Sequence, residues 1–518
     1  MKTIKRIAAL LLGALMLLGP LSGCGEKKQG DEKFVLNVSV CNVIDSLDPA
    51  MNTDTDADSV FYALYENLMR ESDDGSGEVM LTNGMAKEYT EETNYDGTVT
   101  YRFTLRSTAR WSDGEKVTAD DFVYAWQRLA DPATNSPNHS LMSVVAGYDE
   151  VRETGKGICT AVATMPLRRD LTEDGAGFDM PNVVSNGAYH VSAWSKSSKL
   201  TAVRNEEYYE ARLVGPDELG FVFASGSEEA WKLYEAGDID YIAHLPDSVI
   251  AELSQDENWK PTAVYATACV LYNHESDLFS NEHTREAFDL AIDRAAAAAA
   301  GGAENTPATG LVPYGISDSG ETDDDFRTTG GVLRSIDEED VNARQAEARE
   351  ELSYAGYYST SMFPPIELLY VTGTENDAVA AALQNMWSTT LGVTVMLRGV
   401  TQAEYNARME AKNYELALQK ITALYDDAMG FLDRWCSESE QNLINYENGT
   451  YDVLIGVAAA SENLVARTAF LHDAEMMLFD DMALSPVYFD GTAHLLRDTL
   501  RGVYTDGFGN SYFTGVRV

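Results

Sequence analysis

The stretch that decides the fold spans residues 95–132 and reads YDGTVTYRFTLRSTARWSDGEKVTADDFVYAWQRLADP. Apolar and polar residues alternate from Val99 to Leu105, which predicts a strand with one buried face. A turn is expected at Gly114, since glycine adopts positive φ without a steric cost. Thr118 and Asp121 have the spacing of a capping box, and the helix that they open should end at the closing Asp-Pro. The stretch therefore predicts one strand–turn–helix unit.

Part of this stretch resembles a known family signature. The pattern Trp-Ser-Asp-Gly-x-x-Val-Thr-Ala-x-Asp-Phe-Val-Tyr-x-Trp, starting at Trp111, is similar to the family-5 solute-binding proteins of bacterial ABC importers. The oligopeptide-binding proteins are the best-known branch of that family. Family-like motifs recur at Ser46, Asn186 and Arg285, where the chain reads SLDP, NGAY and REAFDLAIDR. The resemblance implies an α/β, two-lobed periplasmic-binding-protein-like fold (type II, cluster C) with an accessory subdomain.

A chain of 518 residues exceeds what one hydrophobic core usually supports, so we expect more than one domain. Strand–helix–strand alternation in the later part of the chain is typical of α/β lobes. The stretch 138–181 is shorter than in the family, which predicts a shortened accessory subdomain. The expected division is a signal peptide at 1–23, a tether at 24–33, lobe I at 34–50 plus 182–262 plus 486–518, the accessory subdomain at 51–181, and lobe II at 263–485.

The amino terminus has the pattern of an export signal. Three basic residues precede the apolar segment Ile7–Leu18, which is too short to span a bilayer comfortably. The segment Leu21-Ser-Gly-Cys24 resembles a bacterial lipobox, which implies cleavage before Cys24 and lipidation of that residue. The alternative is an ordinary secretory signal that contains a cysteine. We expect a lipid anchor on the outer, extracytoplasmic face of the cell membrane.

Composition narrows the function classes. The formal net charge of −45 argues against a nucleic-acid partner, because a phosphate-binding surface needs clustered Lys and Arg. A solvated acidic surface explains this charge without a cationic ligand. The sequence contains no Gly-x-Ser-x-Gly, His-Glu-x-x-His or phosphate-loop motif. Its seven histidines and five cysteines show no metal-ligand spacing. We therefore predict a protein that is no enzyme and uses no metal or cofactor.

Two local expectations concern helix boundaries. Asp54, Asp56 and Asp58 do not fit a calcium loop, because the glycine and glutamate that such a loop needs are missing. We expect Asp58 or Ser59 to be the N-cap of a helix instead. The six alanines at 295–300 are expected to extend the preceding helix, since alanine has the highest helix propensity.

The resemblance also locates a ligand site. In peptide-binding relatives, a carboxylate shortly after the strand corresponding to residues 414–419 receives the ammonium group of the peptide. Leu424 stands at that position here, so the acidic group is expected to have moved to Asp426 or Asp427. Two alternatives remain: the ammonium site is lost, or the two aspartates are solvated loop residues. The predicted ligand-binding residues are Ile44, Asn273, His274, Thr422, Ala423, Leu424, Tyr425, Asp426 and Asp427.

These observations predict a monomeric, extracytoplasmic binding protein that captures an oligopeptide or peptide-like solute and delivers it to an ABC permease and its ATPase. It performs no reaction. The first alternative is a member of the same family that binds a non-peptide solute, such as a glycoside, an opine or a metal chelate. A surface lipoprotein hydrolase and a sensor are further alternatives.

Overall fold

The computed structural model describes residues 33–40, 43–73, 79–93, 99–144, 161–173, 175–255, 261–318, 325–337, 340–359, 362–423, 426–439, 441–461 and 463–518. Its strands are β1 Val35–Ser39, β2 Met69–Asp73, β3 Val79–Asn83, β4 Ala86–Thr93, β5 Val99–Leu105, β6 Tyr189–Ser195, β7 Lys199–Arg204, β8 Glu218–Val222, β9 Tyr241–Ile242, β10 Thr262–Tyr272, β11 Thr306–Pro307, β12 Ile366–Val371, β13 Val395–Val400, β14 Leu416–Thr422, β15 Leu484–Thr492, β16 Leu495–Leu496, β17 Tyr504–Thr505 and β18 Ser511–Tyr512.

The α-helices are α1 Thr55–Leu64, α2 Ala119–Ala130, α3 Arg169–Thr172, α4 Ser227–Ala236, α5 Asp247–Leu253, α6 Glu282–Leu290, α7 Arg294–Gly301, α8 Phe326–Gly330, α9 Val341–Tyr354, α10 Asn376–Leu391, α11 Gln402–Glu410, α12 Met429–Leu432, α13 Gly449–Ala459 and α14 Leu464–Asp480. None of the helices in these ranges has both the length and the apolar character that a bilayer span requires.

The first sheet has the strand order β16-β9-β1-β8-β7-β6. Its centre is parallel, since β1 pairs in parallel with both β8 and β9. In β1, Leu36 and Val38 are fully buried, and the facing strand β8 contributes Leu219 and Phe221 to the same core. Helix α1 packs against this core through Val60.

The second sheet has the order β11-β15-β10-β14-β12-β13. Its long central strand β10 is buried on both faces, as expected for a strand with helices on either side. Cys269 and Leu271 point into one hydrophobic core, whereas Val270 and Tyr272 point into another. Two mixed sheets covered by helices confirm the predicted α/β class.

The unit predicted from residues 95–132 is confirmed over its described part. Strand β5 pairs antiparallel with β4 and leads through the turn at Gly114, with φ 90°, into α2. The backbone N–H of Thr118 donates to the Asp121 carboxylate at 2.7 Å, which completes the capping box. Arg128 of α2 donates to Asp48 and so ties the unit to the family-like SLDP motif.

The predicted βαβ pattern in the second sheet is also confirmed. Strands β12 and β13 are parallel neighbours, and α10 connects them. The inner face of α10 buries Leu383 and Trp387, and the helix ends at Gly392 with φ 68°. Glycine is favoured there because a side chain is strained in the left-handed region.

Two predicted helix boundaries are wrong. Helix α1 is capped by Asp54, whose carboxylate accepts from the N–H of Asp56 at 3.0 Å, and neither Asp58 nor Ser59 is its N-cap. Asp58 instead accepts from the Asn52 amide. The alanine run does not extend α6, because the helix stops at Leu290 and Asp293 caps a separate helix, α7. A side-chain cap thus prevails over alanine propensity, which contributes little per residue.

The chain passes between the two sheets twice. Strand β9 of the first sheet is followed by β10 of the second, and β15 of the second is followed by β16 of the first. β15 crosses the expected boundary at residues 485/486 and pairs with β10 up to Thr492. The Thr492 hydroxyl donates to the Ala243 carbonyl at 3.5 Å, so the two crossing segments touch. The carboxy-terminal β17–β18 hairpin returns to α1, where the Ser511 N–H donates to the Ser59 hydroxyl.

Candidate ligand-binding site

Tyr265 of β10 marks the place where the second sheet meets the carboxy-terminal segment. Its N–H donates to the Gly507 carbonyl at 2.6 Å, and its ring packs edge-on against Phe508 with centroids 5.2 Å apart. The Ala423 N–H donates to the Tyr265 carbonyl, which brings the end of β14 to the same place. We call this region, where β10, the end of β14 and residues 506–508 meet, the junction.

Three carboxylates from distant parts of the chain lie close enough to the junction for burial and their charges together to raise the pKa of Tyr265: Glu71 on β2, Asp426 after β14, and Asp506 before β18. We call them the junction carboxylates. Burial, together with the charges on Asp506 and Asp426, raises the pKa of Glu71 to about 8. Burial likewise raises the pKa of Asp426 and brings that of Asp506 to about 6. All three therefore resist ionisation in the absence of a cation.

No described lysine or arginine forms an ion pair with a junction carboxylate. The outer oxygen Oε2 of Glu71 is buried and has no hydrogen-bond partner among the described groups. Asp506 accepts four hydrogen bonds: Oδ1 accepts from the N–H groups of Phe508 and Asn510 at 2.9 and 2.8 Å, and Oδ2 accepts from the Asn510 amide and the Tyr512 hydroxyl, each at 3.0 Å. A positively charged group placed here would gain charge–charge attraction and would lower the pKa values of these carboxyl groups.

The two adjacent aspartates predicted from the sequence have different environments. Asp427 forms a two-pronged ion pair with Arg467 at 2.8 and 3.1 Å and also accepts from the Met429 N–H at the start of α12. Asp426 has no such cation. Its two oxygens accept from the N–H and the hydroxyl of Ser317 at 2.7 and 2.6 Å. Arg467 therefore compensates the charge of Asp427. Ser317 orients the carboxylate of Asp426 but brings no positive charge to it.

The remaining predicted residues do not all come together. Thr422 and Ala423 lie at the junction end of β14, whereas Leu424 and Tyr425 lie outside the described residues. Asn273 and His274 follow the opposite end of β10, where Tyr272 pairs with Leu416. Six residues of strand, or roughly 20 Å, separate that end from the pairing of Ala266 with Thr422.

The contacts of Asn273, His274 and Ile44 are structural in kind. The Asn273 amide donates to the carbonyls of Lys412 and Tyr414 at 3.1 and 3.0 Å. The His274 imidazole contacts the Ala483 carbonyl through Nε2 at 2.9 Å, and burial lowers its pKa to about 4. Ile44 is 3 % exposed within the core of the first sheet. In this structure, Asn273 and His274 make hydrogen bonds to backbone carbonyls, and Ile44 packs in the core.

A cavity of about 150 Å³ opens in the first sheet at the carboxyl ends of β1, β8 and β9. Open α/β sheets commonly bind ligands at this edge. His244 lines the cavity, and its Nε2 lies 3.1 Å from a carboxylate oxygen of Asp56 on α1. Burial opposes protonation of His244, but the hydrogen bond and charge of Asp56 prevail and raise its pKa.

The acidic start of α1 connects this cavity with the junction. Asp56 lies at the cavity, and Asp58 lies within electrostatic reach of Asp506. Burial and the charge of Asp506 raise the pKa of Asp58 to about 8. The Asp54–Asp58 pattern in the sequence suggests a poor calcium loop or a helix cap, and Glu71, Asp506 and His244 are not among the residues predicted to bind a ligand. No local pattern identifies these three, since only the tertiary fold brings them to the site.

Comparison with known proteins gives a consistent result. Residues 81–442 match the middle region of the bacterial extracellular solute-binding proteins, family 5. The oligopeptide-binding protein OppA of Bacillus subtilis is 26% identical over 551 aligned positions, which cover 99% of this chain and 97% of that protein. The probable deoxycholate-binding periplasmic protein YgiS of Escherichia coli is 27% identical, with 88% of each chain covered.

Solved structures agree on the fold. Haemophilus influenzae OppA in complex with the peptide RPPGFSPFR superposes with a TM-score of 0.74 at 24% sequence identity. The superposition covers 94% of this chain and 99% of that one. The predicted two-lobed fold of the periplasmic binding proteins is thereby confirmed.

Proposed function

The chain belongs to the bacterial extracellular solute-binding proteins of family 5, and on that premise we propose that it binds an oligopeptide or peptide-like solute. It takes up the solute between its two lobes and delivers it to the permease of an ABC importer. The observation that carries the proposal is the junction, where Glu71, Asp426 and Asp506 converge without a described cationic partner. The ammonium group of a peptide is the cation that fits this place.

Asp426 is the primary ammonium partner in this proposal. Ser317 holds both of its oxygens, so the carboxylate is oriented before the ligand arrives. Glu71 and Asp506 add negative charge from the facing elements. An ammonium group buried without a carboxylate partner would lose several kcal/mol of hydration free energy, and Asp426 supplies that partner. Asp427 stabilises the loop through Arg467 rather than binding the ligand.

The rest of the peptide would be held through its main chain. Extended peptides commonly add to the edge of a sheet, because backbone amides recur regardless of side chain. The two crossing segments, β9 to β10 and β15 to β16, supply a hinge about which the lobes close. We propose that residues 51–181 form an accessory subdomain and that residues 263–485 form most of lobe II, whose sheet continues through β15 to Thr492 instead of ending at the expected boundary.

Further parts of the proposal concern location and partners. Cys24 carries a lipid anchor, and the protein works as a monomer on the outer face of the cell membrane. Its partners are the permease and ATPase subunits of the importer. Members of this family are binding proteins, and we propose that this chain likewise performs no reaction and needs no cofactor.

The test is a binding measurement on the purified protein. Native mass spectrometry identifies any ligand that co-purifies, and calorimetry then compares one peptide with its N-acetylated form. Loss of the ammonium charge should weaken binding by about 2 kcal/mol, or roughly 30-fold, as for a buried charge pair that loses one partner. A peptide at a hundred times its Kd should add about 2.7 kcal/mol of stability. Stabilisation by a glycoside, an opine or a metal chelate, with none by any peptide, would overturn the proposal.

A further inference from the structure

A group of metal-ligating side chains lies away from the junction, between two helices that pack against each other in lobe II. His283 and Glu286 are on α6, and Glu351 is on α9. One imidazole nitrogen and one oxygen from each carboxylate all lie within 4.8 Å of one another. Nothing in the proposed peptide-binding function uses these groups.

The helices explain why the three side chains meet. His283 and Glu286 are three positions apart, so they lie on the same face of α6. The neighbouring positions Ala287 and Phe288 are buried in the same core as Ala348 and Leu352 of α9. This packing fixes the two helices next to each other and presents Glu351 to the imidazole, whose Nδ1 lies 2.6 Å from Oε2 of Glu351. Such rigid supports suit a metal site, which tolerates little displacement of its ligands.

Carboxylates outnumber cationic groups around the cluster, in which the His283 imidazole is the partner of Glu351. Glu282 on α6 and Glu347 on α9 bring further carboxylates near Glu286. Among the described residues, no lysine or arginine forms an ion pair with Glu286 or Glu351. A divalent cation would neutralise this concentration of negative charge, and histidine adds a nitrogen ligand that alkaline-earth ions do not favour.

We propose that His283, Glu286 and Glu351 form a binding site for a divalent transition-metal ion of the zinc class, which links α6 to α9. Ligands of one zinc ion lie about 2.0–2.2 Å from it and therefore roughly 3.0–3.6 Å from one another. The three ligand atoms lie within 4.8 Å of one another, so a bound ion would draw the more distant ones closer and would replace the 2.6 Å contact between His283 and Glu351. Water completes the coordination, because His283 is half exposed and leaves the site open to solvent.

The test uses ZnCl2 and CoCl2 with the purified full-length protein. Calorimetry against a chelator of known affinity measures zinc binding, and the visible spectrum of Co²⁺ reports a nitrogen ligand. His283→Gln and Glu351→Gln should each weaken zinc binding by at least about tenfold, since even supporting residues of metal sites contribute that much. Glu350→Gln removes the same charge from an exposed position of the same helix and should match the wild type.

Further measurements distinguish zinc binding at this site from nonspecific binding of cations to acidic side chains and from effects on the peptide site. Zinc should raise the Tm of the wild type and of Glu350→Gln, but not that of His283→Gln, each compared with its own value in EDTA. MgCl2 should not compete for the site. Peptide affinity should be the same in all of these variants, so failure of the metal proposal does not depend on the peptide proposal. Equal zinc affinity in the wild type and His283→Gln, or no zinc binding by the wild type, would overturn it.

Discussion

Fully and partly buried carboxylates have opposite environments in two regions of this protein. Inside lobe II, Asp289 is held by Arg294 and Arg334, and Glu475 is held by Arg327 at 2.7 Å. At the junction, Glu71, Asp426 and Asp506 have no described cationic partner. Burial alone would raise the pKa of Asp289, but the two arginines prevail and lower it, whereas the pKa of Glu71 is raised.

We infer from this difference that the paired carboxylates stabilise the fold and that the unpaired ones bind a ligand. Bringing an unpaired carboxylate close to others costs folding free energy, because each charge is desolvated and repelled. Such an arrangement persists where function requires it. In lobe II the cation is part of the chain, whereas at the junction the peptide ligand that we propose supplies it.

The largest effect is expected at Glu475. Its Oε1 accepts from Arg327 and from the N–H groups of Leu311 and Val312, and the side chains of Glu475 and Arg327 are almost fully buried. Arg327→Ala should destabilise the protein by about 3–5 kcal/mol, the cost of leaving a buried charge without its partner. Urea unfolding at pH 7 measures the change. A loss of unfolding free energy below about 1 kcal/mol, as for an exposed ion pair, would mean that the paired carboxylate Glu475 does not stabilise the fold as we infer.

The second prediction concerns the junction itself. Asp426→Asn should weaken binding of a peptide with a free amino terminus by about 2 kcal/mol, or roughly 30-fold. The same substitution should leave binding of the N-acetylated peptide almost unchanged, because that ligand brings no charge. Calorimetry with both peptides gives the comparison.

A matched control for this prediction is Asp473→Asn, which removes an equal charge from an exposed position of α14. Its peptide affinity should equal that of the wild type. If Asp426→Asn also binds the free peptide as the wild type does, Asp426 is not the ammonium partner.

The third prediction uses pH in the absence of ligand. The pKa of Glu71 is about 8 in the folded protein, against about 4.3 for an unfolded glutamate. The folded state therefore binds this proton more tightly, and the stability that it contributes is present at low pH and is lost as pH rises towards 8. Asp58 and Asp506 act in the same direction. Glu71→Gln should flatten the fall in Tm between pH 5 and pH 8 by several degrees.

The exposed glutamate Glu88 on the neighbouring hairpin provides the control, since Glu88→Gln should reproduce the wild-type pH profile. Asp289 shows the opposite linkage. Its pKa is lowered in the folded protein, so its contribution is present above the unfolded pKa and is lost on acidification. If the wild type and Glu71→Gln show the same change of Tm between pH 5 and pH 8, the raised pKa that we assign to Glu71 is contradicted.

The sequence predicted those features whose causes lie close together in the chain. The capping box of Thr118 and Asp121, the helix end at Gly392 and the alternation in β5 each depend on a few neighbouring residues, and all three are confirmed. The failures at Asp58 and at the alanine run also have local causes. There, Asp54 and Asp293 compete successfully as caps, and propensity alone does not rank such competitors.

The candidate site was predictable only in part, because its groups come from three distant places. Asp426 was found through the family resemblance, although the sequence could not distinguish it from Asp427. The distinction rests on Arg467, which is 40 residues away in the chain. Glu71 and Asp506 carry no motif, and they come near Asp426 only in the folded chain, where the carboxy-terminal segment returns to α1.

The smallest effect is expected at the capping box of α2, a feature that neighbouring residues determine and that lies apart from the junction carboxylates. The Thr118 N–H and hydroxyl both donate to the Asp121 carboxylate, at 2.7 and 3.0 Å. Thr118→Ala removes the hydroxyl and keeps the N–H bond, so it should cost about 1 kcal/mol of stability, as is usual for a substituted N-cap. Peptide affinity should not change, because the cap supports α2 and contacts no junction carboxylate. Urea unfolding and calorimetry on the same sample separate the two effects, and a loss of affinity without a loss of stability would mean that the β5–α2 unit takes part in ligand binding.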